Sequence, residues 1–177
     1  MTLKDVIFLD RDGVINRDSP GYIKSWGEFE FLPGSLEAMA ALTGAGYHLI
    51  VITNQSIVGR GMVPLPVLED MFRRMRKAVE KAGGKIFDIF YCPHRPDEQC
   101  DCRKPEPGLI FQAKTVHGID LPGTVMIGDN IKDVLCGQNA GCGATILVRT
   151  GCGGQAEKEL ATQQVSPTLV VDDLAAA

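Results

Sequence analysis

Two carboxylates near the start of the chain set the terms for the rest. Asp10 and Asp12 stand one residue apart at the end of the apolar run Val6-Ile7-Phe8-Leu9. Such a run reads as a buried parallel strand, and ligands of open α/β sheets bind just beyond the carboxyl ends of their strands. Alternation along an extended chain lets both carboxylates reach one side of a cleft. Gly13 permits a sharp turn directly after them. The pair suits a nucleophile, Asp10, beside a general acid and base, Asp12. It also suits a strand end with a solvated Asp-Gly turn, and the motif alone does not separate the two readings.

Three further places supply partners. Thr53 closes a second apolar run, Tyr47-His48-Leu49-Ile50-Val51-Ile52, and its hydroxyl can donate to a phosphate oxygen. Lys104, in Arg103-Lys104-Pro105, precedes a helix and can neutralise an anion. Asp129 follows Val125-Met126-Ile127-Gly128, with Asp133 one helical turn further on. Mg²⁺ takes oxygen ligands and keeps several waters, so two or three carboxylates suffice to hold it. Singly, Thr53 reads as a turn former, Lys104 as a surface charge and Asp129 as a helix cap. Together, one such group at each of several α/β units argues for a single phosphoryl-transfer site.

Cys92, His94, Cys100 and Cys102 lie within eleven residues. Three thiolates and one imidazole make a full tetrahedral set for structural Zn²⁺, with no open position for catalysis. A loop of reduced thiols is the plainer reading of the same spacing. Zinc there would stiffen the loop that carries Arg103 and Lys104. Cys136 and Cys142 read as core or surface thiols and Cys152 as a flexible-loop thiol. His48 and His117 read as structural.

The elements that must position these groups follow from the pattern. Residues 14–33 read as an irregular flap, with Phe29-Glu30-Phe31 as a small hairpin arm. Ser35 is expected to cap a helix bearing Leu36, Met39, Ala40 and Leu42. Pro66 starts a long amphipathic helix with Leu68, Met71, Phe72, Met75 and Val79 on one face. Its Arg73, Arg74, Arg76 and Lys77 read as a solvated basic face. Strands are expected at 86–91, 125–127, 144–148 and 169–171, with helices from Pro107 and Ile131. Residues 150–166 read as a surface connection. Strands alternating with helices predict an α/β fold, a doubly wound, mostly parallel sheet in one domain spanning residues 1–177. Only 42 residues separate Asp10 from Thr53 and 50 separate Thr53 from Lys104, which leaves no room for a cap domain. The site is expected to be open, with loops selecting the substrate.

Composition narrows the function classes. The net charge is −4, so no global basic surface invites nucleic acid or an anionic membrane. No apolar run reaches the length of a membrane span. The first residues pass straight into a strand without room for a signal peptide, and six cysteines suit a reducing compartment, so the cytoplasm is expected. With no long exposed apolar stripe, a monomer is expected.

The order Asp-x-Asp-Gly-Val, Thr-Asn-Gln, Arg-Lys-Pro and Gly-Asp-x3-Asp resembles the haloacid dehalogenase superfamily of phosphatases. Phe8 to Asn16 and the Cys-x-His-x5-Cys-x-Cys loop narrow the resemblance to the D-glycero-D-manno-heptose 1,7-bisphosphate 7-phosphatase family and its histidinol-phosphatase relatives. The similarity runs from about Val6 to Thr150. It implies a Rossmann-like sheet with a zinc-binding loop and no cap, acting on a small sugar bisphosphate. The step implied belongs to ADP-heptose formation for the lipopolysaccharide core. It also implies roles. Asp10 attacks phosphorus to form an aspartyl-phosphate, and Asp12 protonates the leaving oxygen and then deprotonates water. Mg²⁺ is held by Asp10, the main-chain carbonyl of Asp12 and Asp129, and Thr53 and Lys104 bind the phosphoryl oxygens. Cys92, His94, Cys100 and Cys102 hold Zn²⁺. The substrate meets Arg11, Asp18, Ser19, Gly21, Tyr22, Asn54, Gln55, Ser56, Arg60, Arg103 and Asn130, with the Arg103 fork suited to the far phosphate. Asp133 stands beside the metal or orients Lys104.

The chain departs from that family in three places. Ser56-Ile57-Val58-Gly59-Arg60 replaces the more usual Ser-Gly-Ile-Ala-Arg, Asn130 replaces a common lysine, and the span from His94 to Cys100 is short. These bear on substrate and anomer preference. Histidinol phosphate or another small sugar phosphate is the alternative substrate. A phospho-aspartate receiver module is the non-enzyme alternative, but Tyr91-Cys92-Pro93 occupies the place of its acceptor. A zinc-dependent nucleic-acid-binding module is opposed by the acidic charge.

Overall fold

A computed structural model describes residues 3–177. Its frame is a six-stranded, all-parallel sheet: β1 (Val6–Leu9), β2 (His48–Asn54), β3 (Ile86–Cys92), β4 (Val125–Gly128), β5 (Ala144–Val148) and β6 (Leu169–Val171). The spatial order is β3-β2-β1-β4-β5-β6, so the direction of winding reverses between β1 and β4. These strands read as continuous apolar runs because both faces of the sheet are covered. In β1, Ile7 and Leu9 join one core, while Val6 and Phe8 join the other. β2 divides in the same way, with Leu49 and Val51 on one side and Ile50 and Ile52 on the other.

Two helices cover the first face, α1 (Ser35–Gly44) and α2 (Leu65–Lys81). α2 buries Leu68, Met71, Phe72, Met75 and Val79, the expected helical stripe. Each such fully buried side chain contributes roughly 1.5–3 kcal/mol of transfer free energy. The other face carries α3 (Gly108–His117), α4 (Ile131–Ala140) and α5 (Gly153–Gln163). Between β1 and α1 the chain forms only a short 3-10 turn at Trp26–Glu28, and between β2 and α2 it forms no helix or strand. No folded cap stands over the sheet among the described residues. No described helix is long and apolar enough to cross a membrane.

Several expectations need correction. Residues 150–166 are not a surface connection. Most of them form α5, which buries Ala156 and Leu160 against Val134 of α4 and Leu147 of β5. Two glycines and scattered glutamines disguise this helix, whose buried hydrophobic side chains among the described residues are Ala156 and Leu160, four residues apart. Gly34, in a left-handed conformation with φ 77°, holds the cap position of α1 instead of Ser35. Ser35 is instead the first helical residue, buried, and its hydroxyl donates to the Ile15 carbonyl at 2.9 Å. The hairpin arm expected at Phe29-Glu30-Phe31 is present in minimal form, with the Arg17 amide donating to the Glu30 carbonyl at 2.8 Å and the Leu32 amide to the Ile15 carbonyl at 3.0 Å. Phe31 makes a single antiparallel bridge to Asn16, and Phe29 stacks on Trp26 at 4.9 Å between ring centroids. The basic face of α2 is solvated only in part. Arg73 and Arg74 pair with Asp70, but Arg76 turns inward and donates to the Ile86 carbonyl at 2.6 Å and to Asp88 at 3.2 Å.

Truncation of the α5 stripe tests this packing. Leu160→Ala should lower unfolding free energy in urea by about 2–4 kcal/mol, whereas a residue on a surface connection would move it by less than about 0.5 kcal/mol.

Candidate active site

The sheet topology gathers the first four groups. β2, β1 and β4 are neighbours, and their carboxyl ends deliver Thr53, Asp10 and Asp129 to the place where the winding reverses. The Asp10 amide donates to Ile127 at 3.0 Å, which ties the end of β1 to β4. Lys104 arrives from the loop after β3. An amide clamp sets its backbone, with the Lys104 N–H donating to Asn54 Oδ1 at 3.1 Å and Asn54 Nδ2 donating to the Lys104 carbonyl at 3.2 Å.

Lys104 is almost fully buried, 3% exposed. Its ammonium lies 2.8 Å from Asp10 Oδ1 and 2.6 Å from Asp133 Oδ1, and donates to the Ile52 carbonyl at 2.9 Å. An ammonium has three donors, and all three are used. Burial alone would lower its pKa, but Asp10 and Asp133 drive it above the ordinary lysine range. Asp133 spends its second oxygen, Oδ2, on the Asn130 amide at 3.0 Å, in a capping box that starts α4. Asp133 therefore touches Lys104 and caps α4 while lying in the same carboxylate cluster as Asp10 and Asp129. The helix cap is Asn130, not Asp129.

Asp10, Asp129 and Asp133 bring one carboxylate oxygen each within 4.8 Å of one another. Burial first, then the charges of Asp133 and Asp12, push Asp10 up to about 7 in spite of Lys104. Burial, then Asp10 and Asp133, push Asp129 up to about 8. One ammonium does not neutralise three crowded carboxylates, and the donors are all oxygens, which is the environment a small divalent cation requires. The hydrogen bonds show which oxygens remain to be offered. Asp10 Oδ1 accepts from Lys104 and from the Arg11 amide at 2.7 Å, leaving Oδ2. Asp129 Oδ2 accepts from the Cys152 amide at 2.7 Å, leaving Oδ1. Gly13 and Gly151 make this packing possible. Both have positive φ, and a Cβ on either would overlap the Asp129 carboxylate.

Asp12 has the opposite environment. Arg11 Nη2 donates to its Oδ1 at 2.8 Å and its Oδ2 at 2.9 Å, with further donors from Asn16 and Gln55, each at 2.9 Å. Burial would raise its pKa, but the Arg11 charge and these bonds carry it below the ordinary carboxylate range. Gln55 also donates to Thr53 Oγ1 at 3.0 Å, which fixes the hydroxyl beside the cleft.

The cleft itself holds about 320 Å³ and is bordered by Asp18, Ser19 and Tyr22 of the flap, and by Asn54, Arg103 and Asn130. Other expected substrate contacts are placed elsewhere. The Arg11 side chain is 1% exposed, beneath the site and within 6.0 Å of the Phe72 ring centre, where it bonds Asp12 and does not border the cleft. Gln55 and Ser56 are buried and do not border the cleft. Arg60 lies against the Tyr22 ring at 5.8 Å and supports the flap from outside the cleft. Gly21 borders a neighbouring surface hollow. Two cleft residues were not foreseen, Lys132 and Cys152. No motif marks Lys132, and Cys152 acts on Asp129 through a backbone amide, which has no signature in residue type.

In the loop after β3, Cys92, His94, Cys100 and Cys102 converge, with Sγ and Nδ1 atoms 3.3–3.5 Å apart in the recorded pairs. A Zn²⁺ tetrahedron with ordinary Zn–S and Zn–N bonds has edges of roughly 3.5–3.8 Å, so the cluster fits zinc. Burial, then the adjoining Cys92 and Cys100 sulfurs, push the Cys102 thiol up, and a metal ion would remove that penalty.

Comparisons with known proteins agree with this geometry. A HAD-hydrolase-like family model matches residues 101–177. A D-glycero-beta-D-manno-heptose-1,7-bisphosphate 7-phosphatase of Pseudomonas aeruginosa is 44% identical over 98% of this chain and 95% of its own. The counterpart in Pseudomonas putida is 44% identical over 97% of this chain and 95% of its own. A crystal structure of D,D-heptose 1,7-bisphosphate phosphatase from B. bronchiseptica, complexed with magnesium and phosphate, superposes with a TM-score of 0.91. It is 41% identical and covers 97% of this chain and 94% of that one. The chain belongs to the D-glycero-D-manno-heptose 1,7-bisphosphate 7-phosphatase family. As a member of that family it is a phosphoric monoester hydrolase, and its carboxylate and cysteine clusters fit Mg²⁺ and Zn²⁺ respectively.

Two variants of this phosphatase test the clusters separately. Gly151→Ala should raise the Mg²⁺ concentration for half-maximal activity roughly tenfold or more, as misplacing a ligand support does, with thermal unfolding as a check on the fold. Cys100→Ala should lose the bound zinc found by elemental analysis of the wild type and should unfold at a lower temperature.

Proposed function

We propose that this chain removes the 7-phosphate of D-glycero-D-manno-heptose 1,7-bisphosphate through an aspartyl-phosphate on Asp10. The observation that carries the reading is the Asp10 carboxylate itself. One of its oxygens is anchored by Lys104 and the Arg11 amide, and the other has no hydrogen-bond partner among the described residues in a site open at the sheet edge. The names and near-complete coverage of the relatives support the choice of substrate.

In this reading Asp10 attacks phosphorus in line with the sugar oxygen that leaves. Asp12 is ionised at rest, and the charge of the incoming phosphate raises its proton affinity. With substrate bound it takes up one proton from solvent, gives it to the leaving oxygen, and then takes one from the water that cleaves the aspartyl-phosphate. Asp10, Asp129 and the main-chain carbonyl of Asp12 would hold Mg²⁺, which when bound offsets the repulsion between carboxylate and phosphate. Thr53 and Lys104 bind the transferring phosphoryl oxygens. Esterification of Asp10 removes its negative charge, and that frees one Lys104 donor for the phosphoryl group. Asp18, Ser19, Tyr22, Asn54, Arg103 and Asn130 face the sugar. The reading extends to one catalytic domain over residues 1–177, working as a monomer in the cytoplasm. One continuous sheet and six free cysteines support it.

The assay is phosphate release with Mg²⁺ from both heptose bisphosphate anomers, fructose bisphosphate and histidinol phosphate. A heptose bisphosphate anomer should show the highest kcat/KM. Equal or better turnover of histidinol phosphate would replace the substrate. Asp10→Asn should lower kcat by about 10⁴-fold or more, as loss of a nucleophile does, and retained activity would rule out the covalent route.

A further inference from the structure

Arg11 is among the largest side chains that the fold buries completely. Every hydrogen bond its guanidinium makes among the described residues goes to one neighbour, Asp12. Nε donates to Oδ1 at 3.2 Å, and Nη2 donates to Oδ1 at 2.8 Å and to Oδ2 at 2.9 Å. Nη1 is buried without a partner among the described residues. Phe29, from the segment before α1, and Phe72, from α2, hold the group with ring centres 5.8 and 6.0 Å away. As a purely structural element this side chain is unfavourable. It bonds no backbone group, and an apolar side chain of similar volume would avoid the cost of burying a charge. The turn at this point needs only the Arg11 main chain, whose carbonyl accepts from the Ile15 amide at 2.8 Å whatever the residue type.

The bonds to Asp12 are not equivalent. Asn16 Nδ2 reaches only Oδ1 and Gln55 Nε2 only Oδ2, each at 2.9 Å. Both amides are also held elsewhere, Asn16 on the Arg17 carbonyl at 2.8 Å and Gln55 on Thr53 Oγ1 at 3.0 Å. Arg11 alone spans both oxygens. One donor on one oxygen lets a carboxylate rotate, whereas a fork across both fixes its plane. The plane matters for proton transfer, because the lone pairs lie in it and the reacting atoms must come within hydrogen-bond reach.

We infer that Arg11 is a positioning residue for the reaction, whose buried fork sets the plane of the Asp12 carboxylate toward the cleft. The inference rests on the functional reading above, in which Asp12 is the acid and base. Arg11 does not border the cleft, so it works without touching the substrate. Its loss is felt in kcat rather than KM, and only through Asp12.

A double-mutant cycle tests this, with heptose 1,7-bisphosphate as substrate and Arg11→Met, Arg11→Lys and Asp12→Asn made singly and paired. Asp12→Asn alone should lower kcat by about 10²- to 10⁴-fold, the range of general acid-base catalysis. Arg11→Met should lower kcat by about 10²-fold, as misplacement of a reacting group does, and leave KM within about twofold. Arg11→Lys keeps the charge without the fork and should recover part of the loss. In the Asp12→Asn background either Arg11 substitution should cost less than about threefold, because nothing remains to be positioned. Equal losses in the two backgrounds would mark a structural role and overturn the inference. So would wild-type kcat in an Arg11 variant that melts at the wild-type temperature. If Arg11→Met does not fold, Arg11→Lys supplies the same comparison. Undiminished turnover by Asp12→Asn would instead overturn the functional reading, and the inference with it.

Discussion

The site depends on a buried ammonium. Placing Lys104 out of water costs several kcal/mol unless every donor is matched and its charge is paired. The fold meets that condition from three directions, with Asp10 from the end of β1, Asp133 from the first turn of α4 and the Ile52 carbonyl from β2. Each supplier is tied in turn to something else. Asp133 also starts α4, Asn54 clamps the Lys104 backbone, and the Cys/His cluster gathers the loop that leads into Lys104. Removing Asp10 or Asp133 leaves a buried charge without a partner, so the lysine links separate elements into one support.

Around that lysine the two neighbouring aspartates acquire opposite characters. Asp10 and Asp12 are one residue apart, yet burial and like charges raise the first to about 7 while Arg11 holds the second low. Different environments dividing the roles of paired carboxylates is a recurring solution in acid-base catalysis. Here the division comes from the neighbours each one meets beyond the end of β1. Asp12 meets Arg11, Asn16 and Gln55, and Asp10 faces Lys104 and Asp129.

The metal-facing side is built from backbone more than from side chains. The Cys152 amide fixes Asp129, the Thr150 hydroxyl donates to the Gly13 carbonyl at 2.6 Å, and two glycines let these strands of chain approach. This explains why the start of α5 matters to a site whose conspicuous residues lie before residue 134.

The residue pattern determined the parallel sheet, its strand positions to within two residues at either end, and the convergence of Asp10, Thr53, Lys104 and Asp129. Apolar runs with a reactive residue at each carboxyl end can be read locally, because a doubly wound sheet brings those ends to one edge. Burial and pairing were decided only by the tertiary structure. Arg11 stands in the middle of the motif, but its side chain turns under the site because Phe29 and Phe72 receive it and Asp12 needs its charge. The dual bonding of Asp133, the amide of Cys152, the rim position of Lys132 and the packing of α5 all depend on contacts between residues distant in sequence. Residue type shows which chemistry a side chain can do, but its neighbours in space decide which of its donors and oxygens remain to do it.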